Sequence, residues 1–594
     1  MKAIHTTLRA AVGGAIGGSL VGLAEAILVV TTGAPEELWL FPFAIVSYGA
    51  FGLAAGLGLG LAYAIAAGLD WSDALPDPMA VSAAAAFAPL AFAIGRYHVV
   101  QRVFQEGIAI GSPRGAAVHV GLLAAAVVLA LVLSFAVRAV GRYRSGAPVL
   151  AAGWVVVLLA AVAVASVHGG PEAKAVQRHA DPALAGRPNV VLFVLDTLRV
   201  DAIERHRTSG EGGVARLARD GVRFSNAHAP SSWTRPSMAS LFTSLYPSQH
   251  GATQDEVPLP VHLATEPPGP GGAGSRAGGF TTNINLAPIF NLQQGFSEYA
   301  YLEPSFYFGA TDSATRLAIY KGLRVVRELL FRDRIYFQNY YQDAQVVGDA
   351  VTSWLDQNPP EPFFLLVHYM DPHDPYFEMP YNGRGVARVT DQNPDPSHAE
   401  AYHELYGEGV AYVESELGAL IDELAARGFY ENSVIAVTSD HGEEFQEHGG
   451  WWHGTTLYQE QLHVPLVIKP AGPGGAGRVD DRIAELVDVA PTFLAAAGIE
   501  APRAFVGSDL FAGGDLGVAF AETDHEGNRV VALRDGDWKI IVANPDNPRG
   551  LEPVEVYDLA TDPGETRNLA ATDPARVQAL TRRLGEVRAG LRQR

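Results

Sequence analysis

The stretch Asn189-Val-Val-Leu-Phe-Val-Leu-Asp196 decides the fold of the larger part of this chain. Its continuous apolar run predicts a strand that is buried on both faces of a mainly parallel sheet. Ligands of α/β proteins bind in the crevice at the carboxyl ends of such strands, and Asp196 falls there. The segment after Asp196 is also suited to begin a helix, so the carboxylate is either a ligand-binding group or a helix N-cap.

Further apolar runs occupy residues 362–368, 434–438 and 464–469, and the apolar spacing of residues 402–427 predicts a helix. This alternation of strands and helices is typical of an α/β sandwich with a mixed, mainly parallel sheet. Polar groups again follow two of the runs. They are Asp371 and His373 after the first of these runs, and Asp440 and His441 after the second.

The C-terminal part of the chain has a different pattern. Two apolar runs flank Asp535-Gly536 within residues 530–543, which is a strong signal for a β-hairpin. Residues 555–559 add a strand, and residues 573–592 predict a helix. A small antiparallel sheet with one helix is therefore expected from residue 517 onward.

Charge is unevenly distributed over the 594 residues of the chain. Residues 1–187 carry a balance of +2 and the remaining residues a balance of −23, which together give the formal net charge of −21. The acidic part argues against nucleic acid as a partner, because binding to phosphates needs a basic face. The chain has no cysteine, which excludes disulfides, thiolate metal sites and cysteine nucleophiles.

The N-terminal third contains five apolar segments near or above the ~20 residues with which a helix crosses a bilayer. They are Ala10–Thr31, Phe41–Gly68, Met79–Gly95, Ala116–Val137 and Val149–Val167. Lys and Arg are in modest excess on the side of the N-terminus, which predicts a cytoplasmic N-terminus and, after five crossings, a catalytic body in the periplasm or outside the cell. Glu25 and His119 lie within predicted spans, where they either serve function or pair within the bundle.

These patterns predict four regions. An all-α transmembrane domain of five helices covers residues 1–168, and a linker covers residues 169–187. A catalytic α/β domain follows at 188–516, and a C-terminal α+β subdomain covers 517–594. The chain is therefore expected to be an integral protein of the inner or plasma membrane. Its oligomeric state stays open.

The stretch Ser231-Ser-Trp-Thr234-Arg-Pro-Ser237 indicates a loop that enters a helix, with Ser232 or Thr234 as the cap. Carboxylates, an imidazole and an alcohol oxygen from the strand ends and this loop together suit Ca²⁺, Mg²⁺, Mn²⁺ or Zn²⁺. A hydroxyl on such a cation loses its proton more readily and becomes a nucleophile. His373 and His453 are placed to hold ester oxygens or protonate a leaving group, although each is equally consistent with a hydrogen-bonded loop histidine.

A series of motifs resembles the sulfatase family of the alkaline-phosphatase superfamily. The motifs are Asp196-Thr-Leu-Arg-x-Asp201, Ser-Trp-Thr234-x-Pro-Ser, Leu-Tyr-Pro-x-x-His250-Gly, His-Tyr-Met-Asp-Pro-His373-x-Pro-Tyr, Ser-Asp440-His441-Gly-Glu and His453-Gly-x-x-Leu-Tyr-x-Glu460. Trp538-Lys-Ile and Val556-Tyr-Asp-Leu are similar to the family's C-terminal subdomain. A helical bundle before such a domain also resembles the layout of lipoteichoic-acid synthases and phosphoethanolamine transferases.

The resemblance implies an alkaline-phosphatase-like sandwich and one divalent metal ion, which is Ca²⁺, Mn²⁺, Mg²⁺ or Zn²⁺. It also assigns roles to positions of this sequence. The metal ligands are Asp196, Thr234, Asp440 and His441; the catalytic groups are Thr234, His373 and His453; and the substrate-binding groups are Arg235, Asp371 and His250.

Three departures from the family's pattern bear on the chemistry. Sulfatases proper convert a Cys or Ser to formylglycine, but Thr234 stands at that position and Met238 replaces the family's Arg. The usual second acid after the first ligand is Thr197, which favours a single metal ion. A Gly/Pro-rich stretch at 266–279 replaces a helix of the family.

The first of these departures, Thr234 in place of a modifiable Cys or Ser, favours chemistry at phosphorus. The sequence predicts a membrane-anchored, metal-dependent enzyme that cleaves or transfers a phosphoester of a lipid or glycan through a covalent Thr234 intermediate. The alternative is a sulfuric ester hydrolase that acts on a substrate outside the cytoplasm. A catalytically silent membrane scaffold is the third hypothesis.

Overall fold

The computed structural model describes residues 2–31, 39–68, 76–99, 112–141, 184–205, 212–253, 257–260, 263, 276–331, 335–472, 477–513 and 517–593. The helices are α1 (Lys2–Thr31), α2 (Leu40–Gly68), α3 (Pro78–His98), α4 (Pro113–Gly141), α5 (Val200–Arg205), α6 (Gly213–Asp220), α7 (Thr234–Thr243), α8 (Pro247–His250), α9 (Asp312–Thr315), α10 (Ala318–Leu330), α11 (Ala344–Leu355), α12 (Ala399–Ala426), α13 (Gln459–Leu462), α14 (Val489–Ala496) and α15 (Pro574–Gln593). Short 3₁₀ helices cover Ile284–Leu286, Pro288–Phe290, Tyr307–Gly309, Phe337–Asn339, Pro396–His398 and Leu486–Asp488.

The strands are β1 (Asn189–Leu195), β2 (Val222–His228), β3 (Arg276–Thr281), β4 (Glu298–Tyr301), β5 (Phe363–Tyr369), β6 (Tyr376–Phe377), β7 (Gly385–Val386), β8 (Ser433–Thr438), β9 (Glu444–Phe445), β10 (Trp451–Trp452), β11 (Leu466–Lys469), β12 (Arg478–Glu485), β13 (Val518–His525), β14 (Asn528–Asp535), β15 (Trp538–Ala543) and β16 (Val554–Asp558). The chain forms two compact units. One is Met1–Glu172 with Phe306–Arg327, and the other is Ala173–Ser305 with Glu328–Arg594.

The first unit contains four helices that are long and apolar enough to cross a membrane, α1 to α4. Four of the predicted spans are therefore helices, and the fifth, at 149–167, lies outside the described residues. Helices α1 and α2 approach closely at Gly14, where an added Cβ would lie 2.1 Å from the carbonyl oxygen of Gly52. Small residues allow such close packing of membrane helices.

Glu25 lies in α1 and is buried among polar groups of the same unit. Its carboxylate accepts hydrogen bonds from the Tyr48 hydroxyl (2.5 Å) and from the backbone N–H of Ala318 (2.9 Å), the first residue of α10. Nε2 of His98 lies 2.9 Å from the same carboxylate. Glu25 thus pairs within the unit, and this pairing ties the segment 306–327 to the helices of the N-terminal third.

The second unit is built on a sheet of eight strands in the order β12-β2-β11-β8-β1-β5-β3-β4. Strand β1 pairs in parallel with both β5 and β8, and β3 pairs in parallel with β4 and β5. Strand β11 is antiparallel to its neighbours β2 and β8, so the sheet is mixed and mainly parallel, as predicted.

Both faces of this sheet are buried, and β1 shows why its sequence is apolar without interruption. Val190, Leu192 and Val194 pack into the hydrophobic core on one face of the sheet. Val191 and its alternate neighbours pack into the core on the opposite face. The predicted α/β sandwich is therefore confirmed, and it places the ends of β1 and β8 at the same edge of the sheet.

The C-terminal subdomain is an antiparallel sheet in the order β13-β14-β15-β16. The predicted hairpin is present, with Asp535 of β14 paired to Trp538 of β15 across the turn. Helix α15 packs Leu580 and Leu584 against Phe520 and other residues of this sheet. The small antiparallel subdomain that the sequence predicted is therefore confirmed, while the exact domain boundaries stay a prediction.

Candidate active site

The site forms where adjacent parallel strands end together. Asp196 follows β1 directly, and Asp440 and His441 come just after β8. Strand β5, on the other side of β1, contributes His368, which is paired in register with Val194. All four side chains are fully buried.

The donor atoms of these residues lie close together. Nε2 of His441 is 3.6 Å from Oδ1 of Asp196 and 3.4 Å from Oδ2 of Asp440. Nε2 of His368 is 3.7 Å from Oδ2 of Asp196. Ligand atoms of Asp196, His368 and Asp440 all lie within 4.8 Å of one another, a grouping that can hold a metal ion.

Hydrogen bonding and charge in this cluster fit a divalent cation. Oδ1 of Asp196, Oδ2 of Asp440 and both ring nitrogens of His368 have no hydrogen-bond partner in the described part of the chain, although they are buried. Burial and the charge of Asp440 raise the pKa of Asp196 well above its usual value. Unpaired buried carboxylates are costly, and a cation bound between them removes that cost.

Thr234 begins α7, and its hydroxyl lies beside this cluster. Oγ1 of Thr234 is 3.3 Å from Nε2 of His441. The side chain of Ser237 donates a 2.6 Å hydrogen bond to the carbonyl of Asp440, which fixes the first turn of α7 to the end of β8. The N-cap position belongs to Trp233 and has no side-chain cap. The expectation that Ser232 or Thr234 caps the helix was therefore wrong, because the Thr234 side chain faces the cluster instead.

Asn283 is a site residue that the sequence analysis missed. Its Nδ2 donates a 2.5 Å hydrogen bond to Oδ2 of Asp196 and lies 3.5 Å from Oγ1 of Thr234. Its Oδ1 accepts a 2.7 Å hydrogen bond from the backbone N–H of Asn285, which fixes the orientation of the amide. A polar residue two positions beyond β3 was the available signal.

His368 was also missed as a candidate metal ligand, because it was counted as the last residue of an apolar strand. An imidazole within a strand buried on both faces is the signal that would have found it.

Thr197 stands where the family resemblance implies a second acid, and its hydroxyl is used in a hydrogen bond to the backbone. Oγ1 of Thr197 donates a 2.7 Å hydrogen bond to the carbonyl of Asp196. Thr197 has a φ of 58°, which is unfavourable for a β-branched residue. The turn is held by the hydroxyl of Tyr406, which bonds the Thr197 carbonyl at 2.9 Å, and by Ser439, whose Oγ accepts from the N–H of Leu198 at 2.8 Å.

His373 and His453 lie next to each other at the mouth of the cluster. Their ring centroids are 5.0 Å apart, and the ring of His453 is 4.4 Å from that of His441. Nδ1 of His453 donates to Oε1 of Glu443 at 2.9 Å, and Glu443 also accepts from the hydroxyl of Tyr376 at 2.8 Å. Desolvation and the neighbouring His453 lower the pKa of His373 to about 3.

The three residues assigned to substrate binding occupy different surroundings. Arg235 follows the hydroxyl-bearing residue, lies 3.5 Å above the ring of Phe290 and donates to Oδ1 of Asn285 at 2.7 Å. His250 lies behind α7, where Nε2 is 3.1 Å from Oγ of Ser240. Asp371 is buried and lines a separate cavity. The structure thus brings together Asp196, Thr234, Asp440, His441 and His453 with His373, and it does not bring His250 or Asp371 into that cluster.

Comparisons with known proteins identify the family from the sequence and the fold from solved structures. Residues 188–499 match the sequence model of the family described as Sulfatase. The "Multifunctional alkaline phosphatase superfamily protein PehA" of Trinickia caryophylli is 27% identical over 487 residues, which are 66% of this chain and 92% of that protein. The structure of BT4656 in complex with its substrate D-glucosamine-2-N,6-O-disulfate has a TM-score of 0.53 and 20% identity, over 69% of this chain and 99% of that chain. The phosphonate monoester hydrolase of Agrobacterium radiobacter has a TM-score of 0.51 and 20% identity, over 68% of this chain and 96% of that chain.

Proposed function

This chain belongs to the sulfatase family and is a hydrolase of the alkaline-phosphatase superfamily, and on that premise we propose that it cleaves or transfers a phosphoester through Thr234. One observation carries the proposal. Oγ1 of Thr234 lies 3.3 Å from Nε2 of His441, beside the carboxylates of Asp196 and Asp440 and at the N-terminus of a ten-residue helix. Helix N-termini favour anions, so this is a suitable place for an anionic ester.

Asp196, His368, Asp440 and His441 are the residues that would hold a divalent cation. When bound, the cation lowers the pKa of the Thr234 hydroxyl and offsets the negative charge of the ester. Two imidazoles beside two carboxylates favour Zn²⁺ or Mn²⁺ over Ca²⁺ and Mg²⁺, which prefer oxygen ligands throughout. His368 thereby takes the place of the acid that Thr197 does not supply.

The residues of the site suit a two-step reaction. Oγ1 of Thr234 loses its proton to solvent and forms a bond to phosphorus, while the bond from phosphorus to the leaving alcohol oxygen breaks. The leaving oxygen takes its proton from solvent. His453 donates through Nδ1 to Glu443, and burial lowers its pKa well below the usual value, so its Nε2 acts as a proton acceptor. It takes a proton from the water or alcohol that attacks the threonine ester, and Thr234 leaves with a proton from solvent.

The identity of the nucleophile supports phosphorus over sulfur. A threonine has no route to the formylglycine on which sulfatases proper depend, so its hydroxyl must act directly. The family match favours a sulfuric ester hydrolase as the second candidate function, in which the same hydroxyl attacks sulfur. Assays with both ester types separate the two.

The four long apolar helices support a substrate at the membrane, such as a lipid or glycan ester. We propose that the catalytic unit faces the periplasm or the cell exterior, as the distribution of Lys and Arg around the spans predicts.

The test uses the full chain in detergent with bis-p-nitrophenyl phosphate, p-nitrophenyl sulfate and added Zn²⁺, Mn²⁺, Ca²⁺ or Mg²⁺. We expect phosphodiester cleavage with Zn²⁺ or Mn²⁺. Thr234→Val should lose at least about 10³-fold in turnover, since loss of a nucleophile typically costs that much or more. Thr243→Val, at the other end of the same helix, is the matched control and should keep its activity.

Three outcomes bear directly on this proposal. A phosphothreonine peptide from acid-quenched enzyme, containing residue 234, would support the covalent step. Sulfate release without phosphoester cleavage would favour the second candidate instead. Full turnover by Thr234→Val would exclude any covalent mechanism at this residue.

A further inference from the structure

Helix α10 has an inverted polarity for a helix on the surface of a water-soluble protein. Gly322, Val325, Val326 and Leu329 follow the spacing i, i+3, i+4, i+7 and therefore lie on one side of the helix, which we call the apolar face of α10. This face is exposed, with Val326 at 52% and Leu329 at 48%. Surface helices of soluble proteins turn such a face towards the core and their charged residues towards water.

Charged side chains of α10 instead make contacts with the protein. The guanidinium of Arg327 lies 4.5 Å from the centroid of the Tyr307 ring. Glu328 is fully buried and accepts a 2.7 Å hydrogen bond from the hydroxyl of Tyr340. Buried charged residues beside exposed aliphatic ones are unfavourable in water. The same arrangement is expected where the outer side of a helix meets an apolar medium.

Two hydrogen bonds fix the start of α10 beside helices of the membrane bundle. The backbone N–H of Ala318 donates to the carboxylate of Glu25 at 2.9 Å, and that of Ile319 donates to the hydroxyl of Tyr48 at 3.0 Å. At a rise of 1.5 Å per residue, Glu25 lies about 9 Å before the end of α1 and Tyr48 about 12 Å after the start of α2. Both residues fall within the apolar spans of these helices, so α10 begins below the ends of the bundle.

Aromatic and basic side chains surround the same end of the bundle. Nε1 of Trp39, just before α2, donates to the carbonyl of Gly309 at 3.3 Å. Lys321 of α10 donates to the hydroxyl of Tyr97, and its ammonium group lies 4.7 Å from the centroid of that ring. Trp and Tyr are enriched where a membrane meets water, and lysine side chains there extend their charge towards the headgroups. These contacts are therefore typical of a membrane interface.

We propose that α10 is an interfacial helix whose apolar face lies in the acyl-chain region of the lipid bilayer, at the end of the bundle where α1 ends and α2 begins. Interfacial helices bury their apolar face about 5–10 Å into the boundary between headgroups and acyl chains, which is close to the depth at which α10 is attached. The inference goes beyond the reaction at Thr234 and does not depend on it. It rests only on the insertion of α1 to α4 into a membrane.

The test is fluorescence quenching in the full chain, reconstituted into phosphatidylcholine vesicles that contain nitroxide-labelled lipids. Because the chain has no cysteine, Val326→Cys provides a single thiol for a bimane label, and Val325→Cys is a second reporter on the same face. The nitroxide is placed either near the headgroup end of the acyl chain or near its tip. We expect both labels to be quenched by lipid, and more strongly by the nitroxide near the headgroup.

Three further single-cysteine variants are the controls. Val128→Cys, exposed and near the middle of α4, should be quenched more strongly by the nitroxide near the chain tip. Arg324→Cys should lose about half as much fluorescence as Val326→Cys or less, because residues two positions apart point to nearly opposite sides of a helix. Ser397→Cys, at an exposed position of the catalytic unit, should be quenched by iodide in the water and not by the labelled lipids.

Four results would overturn the proposal. Quenching of the Val326 label by iodide alone would place the apolar face in water. Quenching by lipid at Val128, with neither lipid nor iodide quenching at Val326, would mean that the segment 149–167 or a second copy of the chain covers the face. Equal quenching at Arg324 and Val326 would show a helix immersed in lipid instead of one lying at its surface. Lack of lipid quenching at both Val128 and Val326 would remove the membrane insertion itself, and the reaction proposed at Thr234 would stand in each case.

Discussion

Replacing His368 tests whether its imidazole is a metal ligand. His368→Phe keeps a planar ring in a fully buried position and removes both ring nitrogens. Those nitrogens have no hydrogen-bond partner in the described part of the chain, so no hydrogen bond is lost in the metal-free protein. The effect of the substitution on metal binding can therefore be separated from its effect on folding.

The size of the effect follows from the four donor residues of the cluster. Structural zinc sites with four protein ligands bind with roughly 10–16 kcal/mol of free energy, so one ligand accounts for about 2.5–4 kcal/mol. The dissociation constant of the variant should then rise about 100- to 1,000-fold. At a metal concentration of 100 times the wild-type constant, the stabilisation by metal should fall from about 2.7 kcal/mol to about 0.4 kcal/mol or less.

The assay is metal content after dialysis, together with thermal unfolding with and without Zn²⁺ or Mn²⁺. His403→Phe is the matched control, because His403 is also buried in this unit and packs against Phe445, outside the cluster. The control should bind metal as the wild type does. A folded His368→Phe variant with the wild-type dissociation constant would refute the assignment of His368 as a ligand, and equal loss in both variants would trace the effect to folding.

Four further predictions address other parts of the chain. Asn283→Ala removes the 2.5 Å hydrogen bond that orients the first ligand carboxylate and should weaken metal binding about 10- to 100-fold, measured by titration; an unchanged affinity would limit Asn283 to a local role. Burial alone would lower the pKa of His448, but the hydrogen bond and charge of its carboxylate partner outweigh burial and raise it to about 9. The folded state therefore holds this proton more tightly than the unfolded state does. This preference contributes up to about 3 kcal/mol of stability below pH 6.5, and the contribution is lost as the pH rises through 9. His448→Gln should accordingly lower the melting temperature at pH 6 and have little effect at pH 10. Glu25→Leu removes the three polar contacts of the Glu25 carboxylate and should lower the free energy of unfolding by about 2–4 kcal/mol. It should also speed trypsin cleavage in the segment 306–327, and an unchanged cleavage rate would contradict the conclusion that Glu25 holds this segment to the N-terminal helices. The chain has no cysteine, so Ser397→Cys in the catalytic unit gives a single thiol, which an impermeant maleimide should label in intact spheroplasts if that unit lies outside the cytoplasm; labelling only after lysis would reverse the proposed orientation.

The parts of the site that the sequence could predict are those that local pattern encodes. An apolar run that ends in an acid specifies a buried strand and a polar group at its end, which is why Asp196 and Asp440 were found without structural information. His368 and Asn283 were missed because their roles depend on which strands are neighbours. His368 reaches the cluster only because β5 pairs with β1 in the register that sets it beside Val194. Asn283 reaches Asp196 only because β3 pairs with β5.

Contacts with neighbouring elements also decide where residues of the family motifs lie relative to the cluster. His250 belongs to a motif of the family, yet its ring nitrogens bond Ser240 and the backbone N–H of Ala252 and so support α7 from behind. The segment after β5 carries both His373 and Asp371, but it places the His373 ring beside that of His453 and buries Asp371 outside the cluster. A motif specifies that such residues are needed, while the packing of the turn decides what each of them contacts.

In the proposed metal site, the imidazole of His368 replaces the acid that the family resemblance implies at position 197, and this replacement would change the charge that the substrate meets. Two carboxylates and two neutral imidazoles around a divalent cation leave a site with no net charge, whereas further carboxylates would make it negative. An anionic ester would be repelled by a negative site, and the repulsion would be strong because the cluster is fully buried. The body of this protein is acidic, so the approach of an anion depends on local groups, which are the cation and the N-terminus of α7. In the proposed metal site, His368 would thus compensate for the acid that is missing at Thr197 and would allow an acidic protein to act on an anionic ester.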